Sequence, residues 1–298
     1  MKKSKYFMLS QDVEIPILYF LWRVKVASTS ALFFRFEKDF SWKAKTAYQR
    51  LFILKKKGCI NTKSDESGNF KVWTLTAKGF QAIKTKLLAL KEEGYASESL
   101  THDLFVLATH YGEWISRSDT KDVRFLTEQE LRRIESSDLP AWAQTLQSHK
   151  PDGVWYFPET INKNTVALEV ELSRKRQTEY ESLGLFYSEE ANVHSVIWIV
   201  QSQGHANTMR SAFQQKTISY RDIHNFVLVD DLKKMGWASQ IFLGPNQNST
   251  LRNFLESMRH SKPIARPMQF HSNGYVGKIL DFRVKSFNSS TYAPNTKS

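Results

Sequence analysis

A single cysteine, Cys59, stands in 298 residues. One thiol cannot close an internal disulfide, and no Cys or His lies near it at zinc-ligand spacing, so a disulfide framework is excluded and a small buried thiol is expected. Long apolar runs are also missing. Stretches such as "VIWIV" fall far short of the roughly 18 residues that a membrane span needs. The opening "MKKSKYFMLSQDVEIPILYF" has no compact apolar region ending in small residues, which gives the expectation of a cytoplasmic protein without export signal or membrane span. There is no phosphate-cradling glycine loop and no internal repeat, so nucleotide hydrolysis and a solenoid are not expected.

What is present is positive charge, unevenly spread. The net charge is +12. Residues 1–99 carry 19 Lys and Arg against 9 Asp and Glu, residues 100–235 carry 15 against 19, and residues 236–298 carry 8 against 2. Basic ends point to a polyanionic partner, and an acidic middle points to a different task there, such as holding a cation. The length suits two domains.

Apolar residues at helical spacing in "IPILYFLWRVKVAS" predict a first helix opening at Pro16, and "STSALFFRFE" predicts a second. In "SWKAKTAYQRLFILKKKG", Ser41 is placed to cap a third helix. Ala44, Ala47, Leu51 and Leu54 share its inner face, and Gly58 ends it. Two strands, "CINTK" and "FKVWTLT", flank the polar turn "SDESGN", and "TAKGFQAIKTKLLALKEE" reads as a closing helix. This order resembles a winged helix-turn-helix, with "LKKKGCI…GNFKVWTLTAKG" the stretch most similar to that superfamily. The resemblance implies a DNA-binding domain over residues 1–95 whose third helix enters the major groove. Lys43, Lys45, Thr46, Gln49 and Arg50 are then the expected DNA contacts, with Lys63 and Lys71 near the wing. Two other readings stay open: Lys55, Lys56 and Lys57 also suit a helix C-terminus, and such modules also bind proteins.

After "EEGYASES", read as a linker, the second domain is expected over residues 100–245. "LTHDLFVLATHYGEWI" predicts a helix, "DVRFL" a strand, and Thr127 with Glu130 a capping box at the next helix. "DGVWYF" and "TVALEVEL" form a hairpin across "PETINKN", followed by helix, strand, helix and strand. The expected class is α/β with a mixed sheet.

Alternation in "VALEVEL" sends Val166, Leu168, Val170 and Leu172 to one face and Ala167, Glu169 and Glu171 to the other. The hairpin partner brings Asp152 beside that second face. Carboxylates opposed on paired strands repel one another unless a cation lies between them, and Mg²⁺ or Mn²⁺ suits such hard oxygen donors. Glu169 and Glu171 also fit an ordinary solvent-facing strand edge. His102 fits helix capping, and Tyr180 fits helix packing.

Pro-Asp on one strand and Glu-x-Glu on the next, followed by a helix, resembles the PD-(D/E)xK nuclease superfamily, a restriction-endonuclease-like fold. That resemblance implies Asp152 and Glu169 as metal ligands, joined here by Glu171, which occupies the usual lysine position. Lys175, with Arg174 as its alternative, would then assist the attacking water, and His102 is a possible accessory group. The larger assembly, with "LTHDLFV", "LTEQELRR", "KPDGVW" and "ALEVELSRKRQTEY", resembles the replication-relaxation group that includes MobC-type plasmid relaxases. It implies a metal-dependent relaxase or nickase on double-stranded DNA at an origin of transfer or replication, working with other mobilisation proteins. A non-catalytic origin-binding or regulatory protein with a degenerate nuclease fold is the first alternative, and a restriction- or repair-type endonuclease the second. Residues 246–298 turn polar and basic, around a possible strand "YVGKILDFRV", and a partly flexible tail is expected.

Overall fold

A computed structural model of the chain describes residues 8–64, 71–117, 120–215, 221–260 and 275–280. The protein is mixed α/β with two sheets. No helix among the described residues is long and apolar enough to cross a membrane.

α1 (Glu14–Val24) buries Ile17, Leu18, Leu21 and Trp22. It stops at Lys25, whose φ of 61° breaks helical geometry. The sequence reading carried this helix further. Instead the next two residues form β1 (Val26–Ala27). There follow α2 (Thr29–Phe36), α3 (Ala44–Lys56), β2 (Ile60–Ser64), β3 (Lys71–Leu75) and α4 (Ala77–Lys84). The three strands pair antiparallel in the order β1-β3-β2.

α3 differs from expectation at its start. Ser41 has φ 49° and caps nothing, because the chain turns there to bury Trp42 against Phe36 and Phe40, and Lys43 becomes the N-cap. Ala44 is accordingly exposed, while Ala47, Leu51 and Leu54 form the buried face. The far end follows the sequence: Gly58, at φ 72°, lets its own N–H reach Lys55 O at 2.8 Å and the Cys59 N–H reach Leu54 O at 3.0 Å. Cys59 is buried, as a small thiol should be.

α4 ends at Lys84, well before the expected limit. Leu90 instead bridges to Ile134, and the Lys91 N–H donates to Arg133 O, so tertiary pairing overrides helix propensity here. The segment read as a linker is packed too: Gly94 O accepts from Trp22 Nε1 at 3.0 Å and from Gln129 Nε2 at 2.7 Å.

The larger sheet is built by β4 (Arg124–Thr127), β5 (Gly153–Tyr156), β6 (Thr165–Glu171), β7 (Ser195–Val200) and β8 (His224–Leu228), in that spatial order. The first three strands run antiparallel, and β6, β7 and β8 run parallel. Around it lie α5 (Leu100–His110), α6 (Glu128–Arg133), α7 (Ala141–Gln144), α8 (Gln177–Glu189), α9 (Gln203–Gln215) and α10 (Val229–Met235). α5 covers one face, where Trp155 Nε1 donates to His110 O. α8 and α9 cover the other, where Tyr187 and Phe213 pack on Trp198. The Thr127–Glu130 capping box forms as expected.

The C-terminal stretch contains α11 (Leu251–His260) and α12 (Tyr275–Ile279). α11 buries Leu251, Phe254 and Leu255. Over Tyr275–Ile279 the expected strand is a helix, and Val276, Ile279 and the following Leu280 are buried, while residues 281–284 of that expected strand lie outside the described residues. Full burial of each such side chain contributes about 1.5–3 kcal/mol. α12 lies against α2 and α5 together, so the smaller and larger sheets share one apolar core. The end stretch "NSSTYAPNTKS" lies outside the described residues.

Candidate functional site

β5 begins one residue after Asp152, with Gly153 opposite Leu168, so Asp152 falls beside Glu169 in the antiparallel register. Because the β5 ladder stops there, Val170 has no main-chain partner from β5. Side chains supply the substitutes: Asp152 Oδ2 accepts the Val170 N–H at 2.7 Å, and His102 Nε2 lies 3.0 Å from Val170 O. His102 Nε2 is also 3.3 Å from Asp152 Oδ2, and its Nδ1 is 3.3 Å from Asp103 Oδ1. Both ring nitrogens thus face acceptors, an arrangement that only the doubly protonated imidazolium satisfies. Burial opposes that charge, but hydrogen bonds to Asp103 and Asp152 and their charges override it and push the His102 pKa up to about 10.

Glu169 and Glu171 project to the opposite face from Val170 and are buried. Glu169 Oε1 meets His149 Nε2 at 2.6 Å and accepts the Tyr187 hydroxyl. Burial raises the Tyr187 pKa well above its ordinary value, and the Glu169 charge adds to this, so the phenol stays a donor. For His149 burial favours the neutral ring, yet the Glu169 carboxylate wins and its pKa rises. Glu171 Oε2 pairs with Lys175 Nζ at 2.6 Å. Burial raises the Glu171 pKa against the pull of Lys175, and Glu169 and Asp152 raise it further. Asp152, Glu169 and Glu171 therefore sit in one another's electric field.

Lys175 lies between β6 and α8, since that helix starts at Gln177. Its backbone N–H donates to the Tyr180 hydroxyl at 2.9 Å, and that oxygen is 2.6 Å from His205 Nε2. Tyr180 is 1% exposed and its hydroxyl is fully engaged, so it is a packing residue. Arg174 is exposed.

Two members of the cluster, His149 and Tyr187, were not picked out by the sequence reading. His149 opens the "HKPDG" run three residues before Asp152. Lys150, at φ 64°, makes the turn between them. Tyr187 looked like one more apolar residue of α8, and only the stacking of that helix on β6 gives its hydroxyl a role.

Among the described residues no set of three His, Cys, Asp or Glu side chains is arranged to hold a metal ion. Mg²⁺ does not need such a set, because it keeps several waters and takes one or two carboxylates. Asp152 and Glu169, neighbouring hard oxygen donors, fit an ion of that type in kind. They do not fit zinc, which takes at least three protein ligands, usually with nitrogen or sulfur among them.

Away from this cluster, α3 turns Lys43, Lys45, Gln49 and Arg50 outward, with Thr46 half-buried. Lys63 and Lys71 are exposed on β2 and β3, near the turn that lies outside the described residues. Tyr48 and Phe52 are also exposed on α3, at 54% and 44%, which the sequence reading did not anticipate. The helix has no acidic residue. Comparison with known proteins finds no family model, no curated protein and no solved structure that matches the chain.

Proposed function

We propose that the chain is a metal-dependent DNA relaxase or nickase that acts on double-stranded DNA at an origin of transfer or replication, with Mg²⁺ or Mn²⁺ as cofactor. The observation that supports this is the register that sets Asp152 opposite Glu169 at the end of paired strands, with both carboxylates and Lys175 acting on the buried Glu171. The order α5, β4, α6, α7, β5, β6, α8, β7 supports a PD-(D/E)xK nuclease-like unit. The β1-β3-β2 sheet beside an outward-facing basic helix supports a winged helix-turn-helix, and the two together support kinship with MobC-type relaxases and their mobilisation partners.

Each residue has a task on this reading. Asp152 and Glu169 hold the ion, and Glu171 adds negative charge beside them. The ion, when bound, supplies Lewis-acid polarisation of a phosphodiester and a water of lowered pKa. His149 and Tyr187 fix the Glu169 carboxylate, which would otherwise swing away. Lys175 is 42% exposed and can turn from Glu171 toward a phosphate oxygen. α3 seats the duplex through phosphate contacts that position it. Supercoiled plasmid bearing the element's own origin, incubated with Mg²⁺, should be nicked by the wild type and left intact by Asp152→Ala. Equal nicking by both would end the catalytic reading.

One observation favours a second reading, a non-catalytic origin-binding or regulatory protein. Every carboxylate of the cluster already has a protein partner: His102 for Asp152, His149 and Tyr187 for Glu169, and Lys175 for Glu171. A protein of that kind binds duplex DNA without metal and gives no heat when titrated with Mn²⁺.

A further inference from the structure

Lys25 is the residue that joins the smaller sheet's unit to the carboxylate cluster. It follows α1 directly and holds φ 61°, ψ −41°, a strained conformation for a residue with a Cβ. Such strain persists only where surroundings enforce it. Here its Nζ lies 2.8 Å from Asp103 Oδ1 on α5 and 2.8 Å from Glu128 Oε2 on α6, with the side chain 17% exposed. Burial works against the ammonium, but the charges of Asp103 and Glu128 prevail and raise its pKa. Asp103 Oδ1 also faces His102, and His102 faces Asp152. A cavity of about 20 Å³ lies at this junction, lined by Lys25, Asp103, Glu128 and Asp152 among others.

We propose that Lys25 is a positioning residue of the carboxylate cluster: through Asp103 and His102 it fixes the orientation of Asp152, and so ties that carboxylate to the unit that carries α3. Asp103 is 3% exposed and one of its oxygens serves both Lys25 and His102. Without the ammonium, Asp103 would draw His102 more strongly, and the His102 contact with Asp152 would weaken. DNA held on α3 and the carboxylates at the end of β6 are thereby kept in one frame. The catalytic meaning of that frame rests on the nickase reading, whereas the frame itself does not.

The Val170 amide reports the orientation of Asp152 directly, because its N–H donates to Asp152 Oδ2. Hydrogen exchange followed residue by residue should show that amide exchanging about tenfold faster in Lys25→Met than in the wild type, relative to the amides of Ile197 and Ile199 on β7. Lys25→Arg should restore slow exchange, which a loss of packing alone would not predict. If Lys25→Met does not fold, Asp103→Asn breaks the same chain of contacts one step later and should release Val170 in the same way. Unchanged exchange at Val170, or an increase shared equally by β7, would overturn the proposal. No nuclease activity enters this measurement, so its failure is distinct from a failure of the plasmid assay.

Discussion

Gly153→Ala tests how β5 is seated next to the cluster. A Cβ added at Gly153 would stand 2.8 Å from His110 Cγ and Nδ1 and 3.0 Å from Cδ2, closer than real contacts allow. The ring cannot retreat. Its Nε2 is 3.1 Å from Val154 O, and Tyr111, Phe125 and Trp155 pack around it. The strand must shift instead, and Asp152 immediately precedes this glycine in the chain. Overpacking of this kind costs about 1–3 kcal/mol. For a chain of this size each kcal/mol lowers the melting midpoint by about 2–4 °C, so a fall of about 5 °C is expected by calorimetry. Removing the obstacle should recover part of it: Gly153→Ala with His110→Ala should lose about 1 kcal/mol less than the two single losses added together. A Gly153→Ala protein that melts within a degree of the wild type would refute the packing account of this glycine. So would strict additivity in the double variant.

Acid should destabilise the protein through two buried histidines, His110 again and His224. Burial lowers the pKa of both His110 and His224 to about 3 in the folded state, against an ordinary value of 6.5. Unfolding lets both rings take up protons, so their neutral forms support the fold fully above about pH 6.5 and progressively less as pH falls toward 3. The urea midpoint should therefore drop between pH 7 and pH 5, and His224→Gln should flatten part of that drop; a level wild-type profile would contradict the placement of these rings. On the DNA side, Arg50→Ala should reduce the slope of log affinity against log salt by about 1 and weaken all duplexes alike. An unchanged slope in equilibrium binding would remove Arg50 from the interface.

Local rules carried the sequence reading where neighbours in the chain settle the outcome. Alternation placed Glu169 and Glu171 together, the Thr127–Glu130 spacing produced a capping box, and Gly58 ended a helix. Each depends on contacts within about four residues. The misses have the opposite cause. Ser41 failed as a cap because Trp42 had to reach Phe36 and Phe40. The last expected turns of α4 gave way to a pairing of Leu90 with Ile134. His149 and Tyr187 converge on Glu169 from opposite sides of the chain, 20 and 18 residues distant. No periodicity announces such convergence. Lys25 is the extreme case: its partners Asp103 and Glu128 lie far along the sequence, and its strained backbone has no signature in residue type.

Structure alone accounts for part of the cluster but not for all of it. Asp152 and His102 have an ordinary purpose, since together they satisfy the Val170 amide and carbonyl where the β5 ladder ends. Glu169 and Glu171 satisfy no main-chain group that is described, and both are buried on a strand whose other residues are apolar or Thr165. Each then requires a cation of its own, His149 in one case and Lys175 in the other. Replacing a buried ion pair by apolar side chains of similar volume is often neutral or stabilising by about 1–4 kcal/mol, so packing gives no reason to keep two such pairs side by side. Charge that packing does not call for is what the proposed metal site would supply a use for.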